Sequence, residues 1–352
     1  MTISARQFHR ILFGIMAWLV LALGAYTGAY AADMAHGTVD HIKVPGPALE
    51  GNLLGIETSR DVFVYLPPGY EDNPDRRYPV VYYLHGYSPT AAEWVKTMGW
   101  PERPDRAMNS DAARDMIIVV PDAYITFRGS MYSTSVATGD WETYVVRDLV
   151  DYIDSHYRTL AARESRGLSG HSMGGYGTIR LAMKHPDRFS SIYAMSSCCL
   201  APTMQAAPFF ADTEKYDTIE AVQKADRLTR IVYATAAAWS PNPNNPPFYL
   251  DLPTKDGEAR TDVLARWTAN APQAMLPQYV PALESLNAIA MDVGTKDSLM
   301  AENGEFSEML SEFDIPHSYE TYEGDHYSHI PERVETQVLP FFSEHLRFED
   351  GG

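Results

Sequence analysis

The pentapeptide Gly170-His171-Ser172-Met173-Gly174 constrains this chain more than any other stretch. It follows a short strand candidate, Arg166 to Leu168, and runs into Met173 to His185, which is small, apolar and patterned as a helix. The serine is therefore expected at a sharp strand-to-helix turn. Side chains at the flanking positions would collide in such a turn, so the two glycines are a steric requirement. With 23 glycines in 352 residues, about 0.1 such pentapeptides are expected by accident, so the setting carries more weight than the spacing.

The same alternation continues on both sides. Asp61 to Leu66 alternates into Pro67-Pro68-Gly69, and Tyr78 to Leu84 is an almost unbroken apolar run of the kind buried on both faces of a sheet. Met116 to Val120, Ser190 to Met195 and Ala288 to Val293 are further strands, and Ile315 to Tyr322 reads as the last. Trp141 to His156 places Tyr144, Val145, Leu149, Tyr152 and Ile153 at helical spacing. Strands alternating with helices imply an α/β class, with a mostly parallel central sheet, helices on both faces and a site at the carboxyl ends of the strands. Pro45, Gly46, Pro47 and Gly51 mark a lead rich in glycine and proline, and 200–285 reads as an insertion that forms a lid, a pocket wall or a purely structural excursion.

Composition fits one sizeable globular domain, expected over 32–352, with 45% hydrophobic residues. The 28 basic against 46 acidic residues give a net charge of −18. That balance, with no basic run, argues against nucleic acid and anionic membrane surfaces as partners. The first ten residues carry Arg6, His9 and Arg10 and no acid, and Ile11 to Ala32 is uncharged. With Ala29-Tyr30-Ala31 as an A-x-A site, residues 1–31 read as a secretion signal, which places the mature protein in the periplasm or outside the cell. No stable membrane association is expected after cleavage; retention as an anchor is the alternative.

A serine hydroxyl is a weak nucleophile unless a histidine takes its proton and a carboxylate orients that histidine. In a strand-turn-helix setting of this kind the acid and then the base should follow the serine in the chain. Asp297 ends a glycine-containing loop after the strand at 288–293, and its competitor Asp292 lies inside that strand. Of the later histidines, His326 in Gly324-Asp-His-Tyr-Ser lies just past the last strand. His329 is the alternative base, while His317 starts the strand and His345 belongs to the closing helix. Charge developing on a substrate carbonyl needs backbone N–H donors, expected from Met173 and, after the strand at 78–84, from Tyr87.

Val80 to Gly86, Gly170 to Gly175, Asp292 to Asp297 and Gly324 to His326 together resemble the esterase D-type family of α/β-hydrolases. That family includes S-formylglutathione hydrolases, feruloyl esterases, enterochelin esterases and mycolyltransferases. The resemblance runs from about Asp61 to about Leu346, is weakest at 200–285, and extends to Trp141-Glu-Thr-Tyr144, where such enzymes start a long helix. It implies an α/β-hydrolase fold, a Ser172-Asp297-His326 triad, no cofactor, and a carboxylesterase acting on a small-molecule or polysaccharide-linked ester. A feruloyl-type aryl esterase, an acyltransferase and a non-catalytic binding protein of the same fold are the alternatives. The oligomeric state is not legible.

Cys198 and Cys199 are adjacent and form either a vicinal disulfide, suited to an oxidising compartment, or two buried thiols. No His/Cys cluster has zinc spacing and no calcium loop is present, so no metal is expected. Tyr87, Trp94, Tyr124, Phe127 and Tyr132 fall in loops expected near the site, as a wall for an aryl group or as ordinary packing.

Overall fold

Val80 to Leu84 shows how the sheet is built: Val80, Tyr82 and Leu84 pack into one apolar core while Val81 and Tyr83 pack into a second, on the opposite face. A strand buried on both faces needs helices on both, and the sequence supplies them. The computed structural model describes residues 35–203 and 208–349. Eight strands form the central sheet: β1 (Thr38–Pro45), β2 (Ser59–Leu66), β3 (Val80–Leu84), β4 (Ile117–Pro121), β5 (Arg166–His171), β6 (Ser191–Met195), β7 (Ala288–Gly294) and β8 (Ser318–Tyr322). Their order is β1-β2-β4-β3-β5-β6-β7-β8. β2 pairs antiparallel with β1 and β4, and every later neighbour pairs parallel. Residues 1–31, expected to be a secretion signal, and the A-x-A site lie outside the described residues.

The helix opened at Trp141–Thr143, widened through a π-helical stretch at Tyr144–Leu149 and completed at Val150–His156 (α3) packs on the first core, as does α4 (Met173–Lys184). The second core is covered by α1 (Ala91–Thr97), α2 (Glu102–Asn109) and the closing helical run Ile330–Arg333, Val334–Val338 and Leu339–His345. The buried Glu142 on α3 is tied to the helix behind Ser172. It accepts from Arg180 and Lys184 at 2.6 Å each and pairs with His185 at 2.8 Å. Burial pushes its carboxyl up, but those three partners outweigh burial and hold it well below the usual range. A carboxyl depressed in the fold contributes stability that is present above ~pH 4.3 and lost as pH falls toward its folded value. Glu142→Gln is therefore expected to cost ~3 kcal/mol in urea unfolding at pH 7, and less at pH 3; an equal loss at both pH values would count against the ionic reading.

The Gly/Pro-rich lead at 45–51 is preceded by β1, an edge strand that the sequence pattern does not mark and whose only fully buried side chain is Val44. Within 200–285, residues Thr218 to Arg230 fall in two helices rather than one, Ile219–Lys224 and α5 (Arg227–Trp239). They divide at Asp226, whose carboxylate caps α5 by accepting from the Thr229 N–H at 2.9 Å.

Candidate active site

The turn after β5 holds Ser172 at φ +57°, ψ −112°, a region that side chains rarely adopt. The turn closes because its flanking residues lack side chains. A Cβ on Gly174 would lie 1.9 Å from the Leu84 carbonyl oxygen, and one on Gly170 would lie 2.5 Å from the Gly174 backbone. The turn is tied to the next strand, since the Ser172 N–H donates to the Met195 carbonyl at 2.9 Å. Ser172 thus stands at the carboxyl edge of the sheet, at the start of α4.

The loops after β7 and β8 bring Asp297 and His326 to it. His326 Nε2 lies 2.9 Å from Ser172 Oγ, and its Nδ1 lies 2.8 Å from Asp297 Oδ2. The Asp297 side chain is shut off from solvent and also accepts from the Leu299 N–H at 2.9 Å. Burial raises its carboxyl, but hydrogen bonds from His326 and the Leu299 amide more than offset this and keep it below the usual carboxylate range. The carboxylate therefore stays charged and fixes His326 with Nδ1 protonated and Nε2 free to accept from the serine hydroxyl.

Asp292 and His329 are placed elsewhere. Asp292, inside β7, accepts from Tyr193 Oη at 2.9 Å and Arg333 Nε at 2.7 Å in the second core, and burial raises its carboxyl. His329 faces Glu332 at 3.0 Å at the start of the closing helix. His317 is held between Ser307 Oγ at 2.8 Å and the Ile315 carbonyl at 2.9 Å.

His171, inside the pentapeptide, has a part that residue spacing does not reveal. Its Nε2–H donates to the His326 carbonyl at 2.9 Å, and its ring stacks on Trp94 at 5.5 Å. Burial, then the neighbouring His326, pulls it down to about 3, so it is a neutral donor that holds the His326 backbone. On the other side, His85 Nδ1–H donates to the Gly86 carbonyl at 2.8 Å and Nε2 accepts from the Ala123 N–H at 2.9 Å. These bonds fix the loop that carries Tyr87.

A cavity of about 470 Å³ opens over Ser172 and His326, bordered by Tyr87, Met173, Leu299 and Tyr327. Among the described residues, neither the Tyr87 N–H nor the Met173 N–H donates to another group. α5 contributes Arg227, Leu228 and Ile231, so the segment read as an insertion forms part of the wall. Of the five expected aromatics, Tyr87 lines the cavity and Trp94 and Tyr124 line an adjoining groove. Phe127 and Tyr132 are core, with Tyr132 Oη donating to the His85 carbonyl at 2.9 Å. Tyr327, exposed beside the base, was not among them.

Cys198 and Cys199 also border the cavity, as two free thiols with sulfurs 2.8 Å apart rather than as a disulfide. The Cys199 contact and burial push the Cys198 thiol well above its usual range, which leaves it protonated and poorly nucleophilic. Their loop is fixed by Glu302, whose carboxylate accepts from the N–H groups of Cys199, Leu200 and Ala201 at 3.0–3.2 Å. Among the described residues, no group of three or more His, Cys, Asp or Glu side chains is placed to hold a metal ion.

Sheet order, the nucleophile turn and the loops that meet at it define an α/β-hydrolase. The chain belongs to the Esterase family, whose model, described as "Putative esterase", matches residues 55–329. An esterase of Mycobacterium tuberculosis is 31% identical over 137 residues, which is 37% of this chain and only 27% of that protein's length. Among solved structures, a ferulic acid esterase superposes with a TM-score of 0.64 at 22% identity, covering 88% of this chain and 99% of its own. An S-formylglutathione hydrolase from Agrobacterium tumefaciens gives 0.58 at 18% identity, covering 89% and 97%. MPT51 of Mycobacterium tuberculosis gives 0.58 at 18%, covering 88% and 99%. At these identities the structural likenesses show the fold.

Proposed function

We propose that this protein is an exported serine esterase that hydrolyses carboxylic esters through an acyl-enzyme on Ser172. The observation that carries the reading is the continuous relay Asp297–His326–Ser172, with contacts of 2.8 and 2.9 Å. Ser172 Oγ attacks the ester carbonyl as its proton passes to His326 Nε2, and Asp297 stabilises the imidazolium. The N–H groups of Tyr87 and Met173 receive the oxyanion. When the C–O bond breaks, His326 returns the proton to the departing alkoxide, which leaves as the alcohol. Water then attacks the acyl-enzyme by the same route and releases the acid. Export is supported by the basic start, the uncharged stretch 11–32 and the A-x-A site.

The test uses protein recovered from outside the cytoplasm, expected to begin near Ala32. That protein is expected to hydrolyse at least one of p-nitrophenyl acetate, butyrate and octanoate and methyl ferulate, with the ranking defining the pocket. Inactivity on all four would overturn the esterase reading in favour of a binding protein or a demanding acyltransferase. A cytoplasmic protein that retains residues 1–31 would overturn the export reading alone.

A further inference from the structure

The cavity over Ser172 continues outward, between Tyr87 and Tyr327, into a groove lined by Thr90, Trp94, Tyr124 and Arg128. Arg227 borders both spaces, with its guanidinium 5.7 Å from the centre of the Tyr327 ring. Among the described residues, neither the Arg128 nor the Arg227 side chain makes a hydrogen bond or an ion pair. Most other arginines do: Arg60, Arg76, Arg106, Arg166, Arg180 and Arg333 each meet a carboxylate. Arg77, Arg158, Arg163 and Arg230 donate instead to backbone carbonyls. Arg128 and Arg227 do neither, and both border one groove beside Ser172.

The carboxylates near them are already engaged or lie away from the cavity wall. Among the described residues, no acid lines the cavity itself. Glu93, the acid among the described groove residues, accepts from the Thr90 N–H at 2.9 Å and Thr90 Oγ1 at 3.1 Å. Asp226, next to Arg227 in sequence, is committed to Thr229 through its N–H at 2.9 Å and its hydroxyl at 2.7 Å. A third arginine, Arg230, is anchored on the carbonyls of Gln223 and Ala225 and adds positive charge facing Tyr87. The field reaches inward, since Arg227 is among the charges that disfavour a proton on His171.

Resting on the esterase reading, we infer that Arg128 and Arg227 form an anion subsite and that the preferred ester carries a carboxylate or a similar anionic group beyond the scissile bond. Two guanidiniums flanking a partly enclosed groove offer charge-assisted hydrogen bonds to such a group, where a neutral ester gains only apolar contact with Tyr87 and Tyr327.

The experiment compares kcat/KM within two matched pairs. The half-ester 4-nitrophenyl glutarate against 4-nitrophenyl pentanoate places the charge on the acyl side. 4-Carboxyphenyl acetate against its methyl ester places it on the alcohol side. In one pair the charged member is expected to win by about tenfold, and the ratio should shrink as ionic strength rises. Arg227→Gln and Arg128→Gln should bring that ratio toward one, and Arg227→Lys should keep part of it. Turnover of both pairs with no charged preference, or a preference that survives both glutamine substitutions, overturns the subsite and leaves the esterase reading standing. If no ester is turned over, the esterase reading fails separately. Binding of the inert amide 4-acetamidobenzoate and of its methyl ester, followed by NMR, then decides the subsite. Tighter binding of the anion, weakened in Arg227→Gln, supports it, and equal binding overturns it.

Discussion

Ser172→Ala is expected to lower kcat/KM on p-nitrophenyl butyrate by at least ~10³-fold while leaving the melting temperature close to that of the parent protein. The hydroxyl is placed to attack, 2.9 Å from His326 Nε2, whereas the nearby Cys198 thiol is held protonated by its neighbour and by burial. Alanine keeps the cavity and the Tyr87 and Met173 N–H groups, so a residue of rate above water should survive. Because nucleophile and base act as one unit, adding His326→Ala to Ser172→Ala should cost little more than Ser172→Ala alone. Steady-state kinetics on the single and double variants check both statements. Multiplicative losses would mean that His326 does not serve Ser172.

The second large effect is on folding. Gly174→Ala places a Cβ 1.9 Å from the Leu84 carbonyl oxygen and 2.5 Å from the Leu84 carbonyl carbon. These are backbone atoms of the last residue of β3, in the middle of the sheet, so nothing can swing aside. The cost is expected to reach ~3 kcal/mol or more, a fall in Tm of about 4 °C or more for a chain of this size. Gly304→Ala is the control. It lies inside the helix Met300–Glu312, where the new Cβ would meet only Tyr319 Oη at 3.6 Å, and helix propensity predicts a gain of up to ~1 kcal/mol. Thermal melts of the two variants side by side separate the steric requirement of the turn from a general effect of losing glycine. A Gly174→Ala protein melting with the parent would contradict the packing described for the turn.

The contrast between these glycines shows what was legible beforehand. Gly170 and Gly174 carry a signal because their spacing around a serine is tied to a strand-to-helix turn that tolerates no Cβ. Asp297 and His326 were readable because each closes a loop after a strand, and parallel strands bring such loops to one edge of the sheet. β1 was not readable, because its one fully buried side chain, Val44, sits among His41, Lys43 and Pro45 and runs straight into a stretch rich in glycine and proline. The donor role of His171 depends on a contact with a backbone carbonyl 155 residues away, and Arg227 and Tyr327 meet only because α5 folds back over the sheet edge. Contacts of that reach are set by topology, and residue spacing carries no trace of them.

The most direct test of the central claim is rapid quenching of the protein with p-nitrophenyl butyrate, followed by intact-mass measurement and peptide mapping. A transient butyryl adduct on the peptide that contains Ser172, absent from Ser172→Ala, is the expected result. Turnover of the ester with no adduct on that serine, or with the butyryl group on Cys198 or Cys199, would contradict it.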